Sequence, residues 1–170
     1  MESDRPTPKI QRAHSVADFD EFRRLCTEYA NSLDFDLCFQ GFRDEMDGLP
    51  GAYSEPEGVI FLARDLDQFA GCVALKPLDA PGVCEMKRLW VRPEFRGCGI
   101  GRLLVGEVIE FAMQYGYRSM RLDTLRTMTT AITLYRSVGF CEIQAYTHNP
   151  LSGAAFYELS MEGRSNQNRK

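Results

Sequence analysis

Clustered histidine and cysteine are the first things this sequence lacks. Two histidines and six cysteines occur in 170 residues, and no two cysteines form a Cys-x-x-C pair. Zinc sites draw on such clusters at short fixed spacing, so no metal is expected. The cysteines at 26, 38, 72, 84, 98 and 141 are scattered and read as free, buried thiols of a reducing compartment. An excess of positive charge is missing too. Twenty Lys and Arg against 24 Asp and Glu leave a net charge of −4, which excludes wholesale electrostatic binding to nucleic acid. No apolar run approaches the roughly 18 residues of a membrane span, and the start Met1-Glu2-Ser3-Asp4-Arg5-Pro6 has no signal-peptide character. A soluble cytoplasmic protein without nucleic-acid or membrane partners is therefore expected. Its hydrophobic content of 44% is ordinary, and its length suits one domain with a sizeable core. That domain is placed at residues 9–162, between flexible tails at 1–8 and 163–170.

Periodicity predicts a mixed α/β chain. Ile10 to Ala13 reads as a short strand. Ser15 and Asp18 then cap a helix whose apolar positions run Phe19, Phe22, Cys26, Tyr29, Leu33. A second helix is expected from Leu37 to Met46, closed by Gly48, Pro50 and Gly51. Val59 to Ala63 and Ala70 to Leu75 form a hairpin around Asp65-Leu66-Asp67-Gln68. A central strand covers Cys84 to Val91. The third helix, Gly99 to Tyr115, aims Ile100, Leu104, Val108, Phe111, Ala112 and Tyr115 at the sheet. A strand at Arg118–Thr124, a helix from Thr129 or Thr130 to Gly139, and strands near Cys141–Tyr146 and Ala155–Met161 complete the order.

The strand-to-helix passage from Leu89 to Leu104 carries the chemistry. Glycines at 97, 99 and 101 keep side chains away from backbone amides at a helix start, where unpaired N–H groups and the helix dipole favour an anion. Arg96 and Arg102 add charge, which together suits a pyrophosphate. The loop is not a P-loop, because no Gly-x-x-x-x-Gly-Lys-Ser/Thr string occurs. Nor is it a Rossmann turn: counted from Gly97 the third glycine position holds Arg102, and counted from Gly99 it holds Leu104.

Arg96-Gly97-Cys98-Gly99-Ile100-Gly101 does take the form Arg-x-x-Gly-x-Gly. With Val91-x-Pro93 before it and Leu134-Tyr135-Arg136-Ser137-Val138-Gly139-Phe140 after it, the chain resembles the GNAT (Gcn5-related N-acetyltransferase) superfamily over roughly residues 8–162. The resemblance implies a mostly antiparallel seven-stranded sheet, splayed between its fourth and fifth strands and flanked by about four helices. It implies acetyl-CoA as the acyl donor, held by Arg96, Gly97, Cys98, Gly99, Ile100, Gly101 and Arg102. A bulge in the fourth strand would aim the backbone around Leu89, Trp90 and Val91 at the thioester. Tyr135 would protonate the departing thiolate, the other reading being that it packs as core.

An alkyl amine, with a pKa near ~10, must lose a proton before attack. Glu85 on the central strand is the candidate base; the other reading pairs it with Lys87 or Arg88. His148 or a water relay are the alternatives. One departure from the family pattern stands at Met128, where many members carry Asn on the coenzyme arm; Thr124, Thr129 or Thr130 could substitute. By the same resemblance the acceptor sits between the first two helices and the loop joining the last strands. That points to Phe35, Asp36, Tyr146, His148 and Asn149, with Phe39 and Gln40 nearby. An aromatic and carboxylate lining suits a cationic amine. The expected activity is acetyl transfer to a small amine or amino acid; a protein amine, or a non-catalytic acyl-CoA-binding module, are the alternatives. Homodimers are common in the superfamily.

Overall fold

The computed structural model describes residues 6–37 and 41–164. Residues 1–5 and 165–170 of the expected tails fall outside them, as do Cys38, Phe39 and Gln40. Seven strands form one sheet: β1 (Lys9–Arg12), β2 (Val59–Asp65), β3 (Gln68–Pro77), β4 (Val83–Val91), β5 (Ser119–Leu125), β6 (Cys141–Ile143) and β7 (Ala154–Ser160). Their spatial order is β1-β2-β3-β4-β5-β7-β6. Every neighbouring pair is antiparallel except β4–β5.

That parallel pair positions the site. β4 and β5 are joined only at Val83–Glu85 against Ser119–Arg121, after which they part. From Met86 onward the β5-facing edge of β4 has no strand partner among the described residues. The sheet is thus splayed, as the resemblance implied. On the other side β4 carries a bulge. Lys87 pairs with Ala74 and Trp90 with Cys72, so Arg88 and Leu89 together stand against Val73. Arg88 takes the extra residue in the left-handed region, with φ of 61°. For an L residue with a long side chain that conformation costs roughly 1–2 kcal/mol, and something must hold it.

Two apolar layers sandwich the sheet. On one face α3 (Ile100–Tyr115) and α4 (Thr129–Val138) bury Leu104, Val108, Ala112, Ile132 and Tyr135 over Val73, Leu75, Met86 and Leu122. On the other, α1 (Val16–Asn31) and α2 (Phe42–Asp47) bury Phe22, Leu25, Cys26 and Met46 over Ile60, Leu62 and Cys72. α1 begins where expected: Ser15 Oγ accepts from the Asp18 amide, and Asp18 returns the bond to the Ser15 amide. Among the described residues no helix is long and apolar enough to cross a membrane.

Several expectations need correction. α2 is shorter than the predicted Leu37–Met46 helix, because Gly41 enters it with φ of 65° and so fixes its start at Phe42. Tyr115 does not face the sheet but is 43% exposed, stacked on Tyr117 beyond the helix end. β6 stops at Ile143, three residues early; Tyr146 leaves the strand line to hydrogen-bond Glu85 and to pack edge-on against Phe156. Of the cysteines expected to be buried, Cys98 and Cys141 are exposed, while Cys26, Cys72 and Cys84 are buried and free.

Candidate active site

The splay opens a cleft of about 610 Å³ between the diverging strands. One wall is β4 from Met86 to Val91, the other is β5 from Leu122 to Leu125; the glycine loop, α4 and the segment after α1 complete the lining.

Around the glycine loop the cleft is lined by backbone. Gly97 and Gly99 sit at φ of 78° and 79°, and a Cβ at either would meet nothing within 4 Å. They are required for conformation, leaving the loop open. Gly101 differs: its Cβ would lie 3.4 Å from Leu134 Cδ2, so there the small residue lets α3 approach α4. The Leu103 amide donates to Gly99 C=O at 3.1 Å and closes the first helical turn, so the amides ahead of it are the orphan donors of a helix start. Arg96 lies over the Trp90 ring at 4.9 Å and binds Val91 C=O through Nε at 3.0 Å. Arg102 reaches across to Ser137 Oγ at 2.8 Å. Arg96, Gly97, Gly99, Ile100, Gly101 and Arg102 all line the cleft, and so do Leu89, Trp90 and Val91; Cys98 is exposed and does not. Arg92 is not part of this surface charge, since Glu28 grips it with bonds of 2.7 and 2.8 Å.

Tyr135 lies in the middle of the cleft lining, and among the described residues its hydroxyl has no hydrogen-bond partner. Burial, with Tyr29 and Asp123 adding to it, pushes its pKa well above that of a free phenol. It therefore keeps its proton throughout the neutral range. Met128 caps α4 beside it and takes the Thr124 hydroxyl at 3.5 Å. Thr124, Thr129 and Thr130 border the same space.

Farther along β4 the cleft is lined by charged side chains. Lys87 Nζ stands 3.5 Å from Asp123 Oδ1 and 4.0 Å from Glu85 Oε1. Asn149 Nδ2 donates to Asp123 Oδ2 at 3.1 Å. Lys87, Asp123 and Asn149 line the cleft together with Tyr29 and Phe35. Glu85 lies behind them, 4% exposed and outside the lining. It accepts from the Tyr146 hydroxyl at 2.6 Å and faces Lys76 at 3.7 Å. Burial and the Glu85 charge raise the Tyr146 pKa, so that hydroxyl remains a donor. Thus Phe35 and Asn149 reach the cleft, Tyr146 lies outside the lining bonded to Glu85, and Asp36 and His148 are exposed and away from the lining.

Asp123 and Lys87 were not among the sequence candidates. The available signal was a charge in mid-strand: Asp123 alternates with Met120, Leu122 and Thr124, so it had to face the opposite side from the core.

A family profile described as the acetyltransferase (GNAT) family matches residues 18–140. An N-acetyltransferase of Schizosaccharomyces pombe, named as uncharacterized, is 45% identical over 145 residues, covering 85% of this chain and 89% of its own. The N-acetylaspartate synthetase of Rattus norvegicus is 35% identical over 102 residues, which is 59% of this chain but 34% of that protein. Among solved structures, a GNAT-family acetyltransferase of Staphylococcus aureus superposes with a TM-score of 0.75 at 19% identity, over 91% of this chain and 99% of its own.

Proposed function

The chain belongs to the GNAT family of acetyltransferases, and on that premise we propose that it moves the acetyl group of acetyl-CoA to the primary amine of a small molecule of the amino-acid kind, both substrates being bound at once. The observation that carries this reading is a single cleft containing the open glycine loop, the unpartnered edge of β4 and the Tyr135 hydroxyl.

The residues present fit the donor. The loop has room at Gly97 and Gly99 for an anion to reach the amides at the start of α3, and Arg96 adds charge beside them. The free edge of β4 offers backbone groups to an extended arm, much as a strand would. When bound, acetyl-CoA supplies an acyl group activated as a thioester. The bulge at Arg88–Leu89 turns backbone toward the cleft, where an N–H polarises a carbonyl. Tyr135 then gives its proton to the leaving sulfur, a role suited to a phenol kept protonated by burial.

At the acceptor end Asp123 holds the ammonium and takes its proton. Asp123 is better placed for this than Glu85, the residue first expected, because it borders the cleft while Glu85 is enclosed behind Lys87. Lys87 supplies the matching positive charge, so an acceptor carrying a carboxylate near its amine meets a partner for each. The name of the rat relative denotes formation of an N-acetylated amino acid, which agrees with this choice. The test is acetyl-CoA binding by calorimetry, followed by thiol release against amines, amino acids and peptides. Acceptor-dependent release, fastest with amino acids, is the expected result. Binding without release from any acceptor would favour a non-catalytic acyl-CoA-binding module, and absence of binding would end the proposal.

A further inference from the structure

The bulge that faces the cleft is held by a residue ill-suited to its own backbone conformation. Arg88 sits at φ of 61°, where glycine is the favoured residue, yet its side chain is 3% exposed. The guanidinium reaches away from β4 into the layer beneath α2. There Nε and one terminal nitrogen bind the two oxygens of Glu45 at 3.0 and 2.5 Å, in the two-pronged arrangement that fixes direction as well as distance. Phe42, one turn earlier on α2, places its ring 5.1 Å from the guanidinium carbon. Tyr53 donates its hydroxyl to Glu45 from the other side and fixes that carboxylate in turn. The Arg88 carbonyl accepts from Cys72 Sγ at 3.3 Å, so the peptide following the bulge is tied as well.

We propose that Glu45 is a positioning residue for acetyl transfer: by gripping Arg88 it keeps the β4 bulge in its left-handed turn, and so keeps the Leu89 amide out of the sheet ladder and available to the cleft. An ordinary extended Arg88 would let β4 pair in register with β3, and the amide would be lost to Val73. Glu45 borders no part of the cleft and touches no substrate; it acts through Arg88. α2 thereby does more than cover the sheet. It sets the backbone geometry on which the donor half depends, and the proposal rests on the acetyltransferase reading above.

Arg88→Ala and Arg88→Gly test this, because both remove the guanidinium and only glycine accepts the backbone conformation freely. Glu45→Gln, nearly isosteric, guards against a variant that does not fold. Three quantities are read: turnover by thiol release, acetyl-CoA affinity by calorimetry, and hydrogen exchange of residues 86–91 in the free protein. Arg88→Ala and Glu45→Gln are expected to lower kcat about a hundredfold, the size of losing one aligned amide donor. Their acetyl-CoA Kd should stay within about threefold, with slower exchange at Leu89, whose amide is then taken up by the ladder. Arg88→Gly should lose about tenfold less, and introducing it into Glu45→Gln should recover turnover and return Leu89 exchange toward the native, faster rate. Equal losses in the Gly and Ala variants would overturn the proposal by assigning the effect to the guanidinium itself. Unchanged kcat and exchange in Glu45→Gln would overturn it outright. Should the native protein release no thiol with any acceptor, the acetyltransferase reading fails, and the exchange contrast among the variants still decides the clamp.

Discussion

The two ends of the cleft are made of different materials. The donor end is backbone: orphan amides at the start of α3, glycines at 97 and 99 with no Cβ to intrude, and a β4 edge left without a partner. The acceptor end is side chains: Lys87 between two carboxylates, with Asn149 arriving from the loop before β7. On the proposed reading, the backbone donors would recognise a shape and a charge common to every acyl-CoA. Side-chain charges from separate segments can change one at a time, and so can fit one acceptor. On that reading the difference teaches where specificity would be stored, with Tyr135 proposed to act on the leaving sulfur.

Changing Tyr135 should have the largest effect. Tyr135→Phe keeps the ring packed on Phe140 and removes only the proton donor, so turnover should fall about 10²- to 10³-fold while calorimetric acetyl-CoA affinity stays within about twofold. In the native protein the raised Tyr135 pKa predicts no alkaline loss of rate from this group below about pH 10, whereas an ordinary phenol would begin to ionise there. A falling limb near pH 8 would remove Tyr135 from the acid role.

Asp123→Asn comes next. It keeps the shape and a hydrogen-bond acceptor for Asn149 but removes the charge facing Lys87. kcat/KM for the amine should drop roughly 10²-fold, within the range for losing a positioned base. Acetyl-CoA binding should be unchanged, and a parallel loss of donor affinity would show that the two ends are not separable. The smallest effect is expected from Gly99→Ala. Its methyl meets open space, so only the φ of 79° opposes it, a cost of roughly 1–2 kcal/mol or about 5- to 30-fold in acetyl-CoA affinity. KM for the acceptor should not move. Were Gly99→Ala to alter acceptor preference, the division of labour between the ends would be wrong.

The glycine loop was legible as local structure because its information is local. Arg96 to Gly101 spells out a strand, a turn and a helix start within one stretch, and Leu134 to Phe140 fixes the tyrosine on its helix. The capping box at Ser15 and the hairpin at Asp65–Gln68 were legible for the same reason. Glu85 illustrates where such reading stops. A carboxylate on the central strand announces itself, but whether it faces the cleft depends on the bulge three residues later and on Tyr146, which returns from sixty-one positions away to bond it.

By itself the sequence determined the order of elements and the glycine-rich loop at a helix start, since each follows from spacing along a few turns of chain; the splayed architecture came through the resemblance its motifs carry. Only the tertiary structure decided that Asp123 and Lys87 share the cleft, that Glu85 stands behind them, and that Glu45 grips the bulge from α2. Those pairs are charges separated by 36 and 43 positions, and nothing in the local chain favours one partner over another. Burial makes the choice: once the sheet and helices close, a charge left without its opposite is costly, and the fold that pairs them is the one that persists.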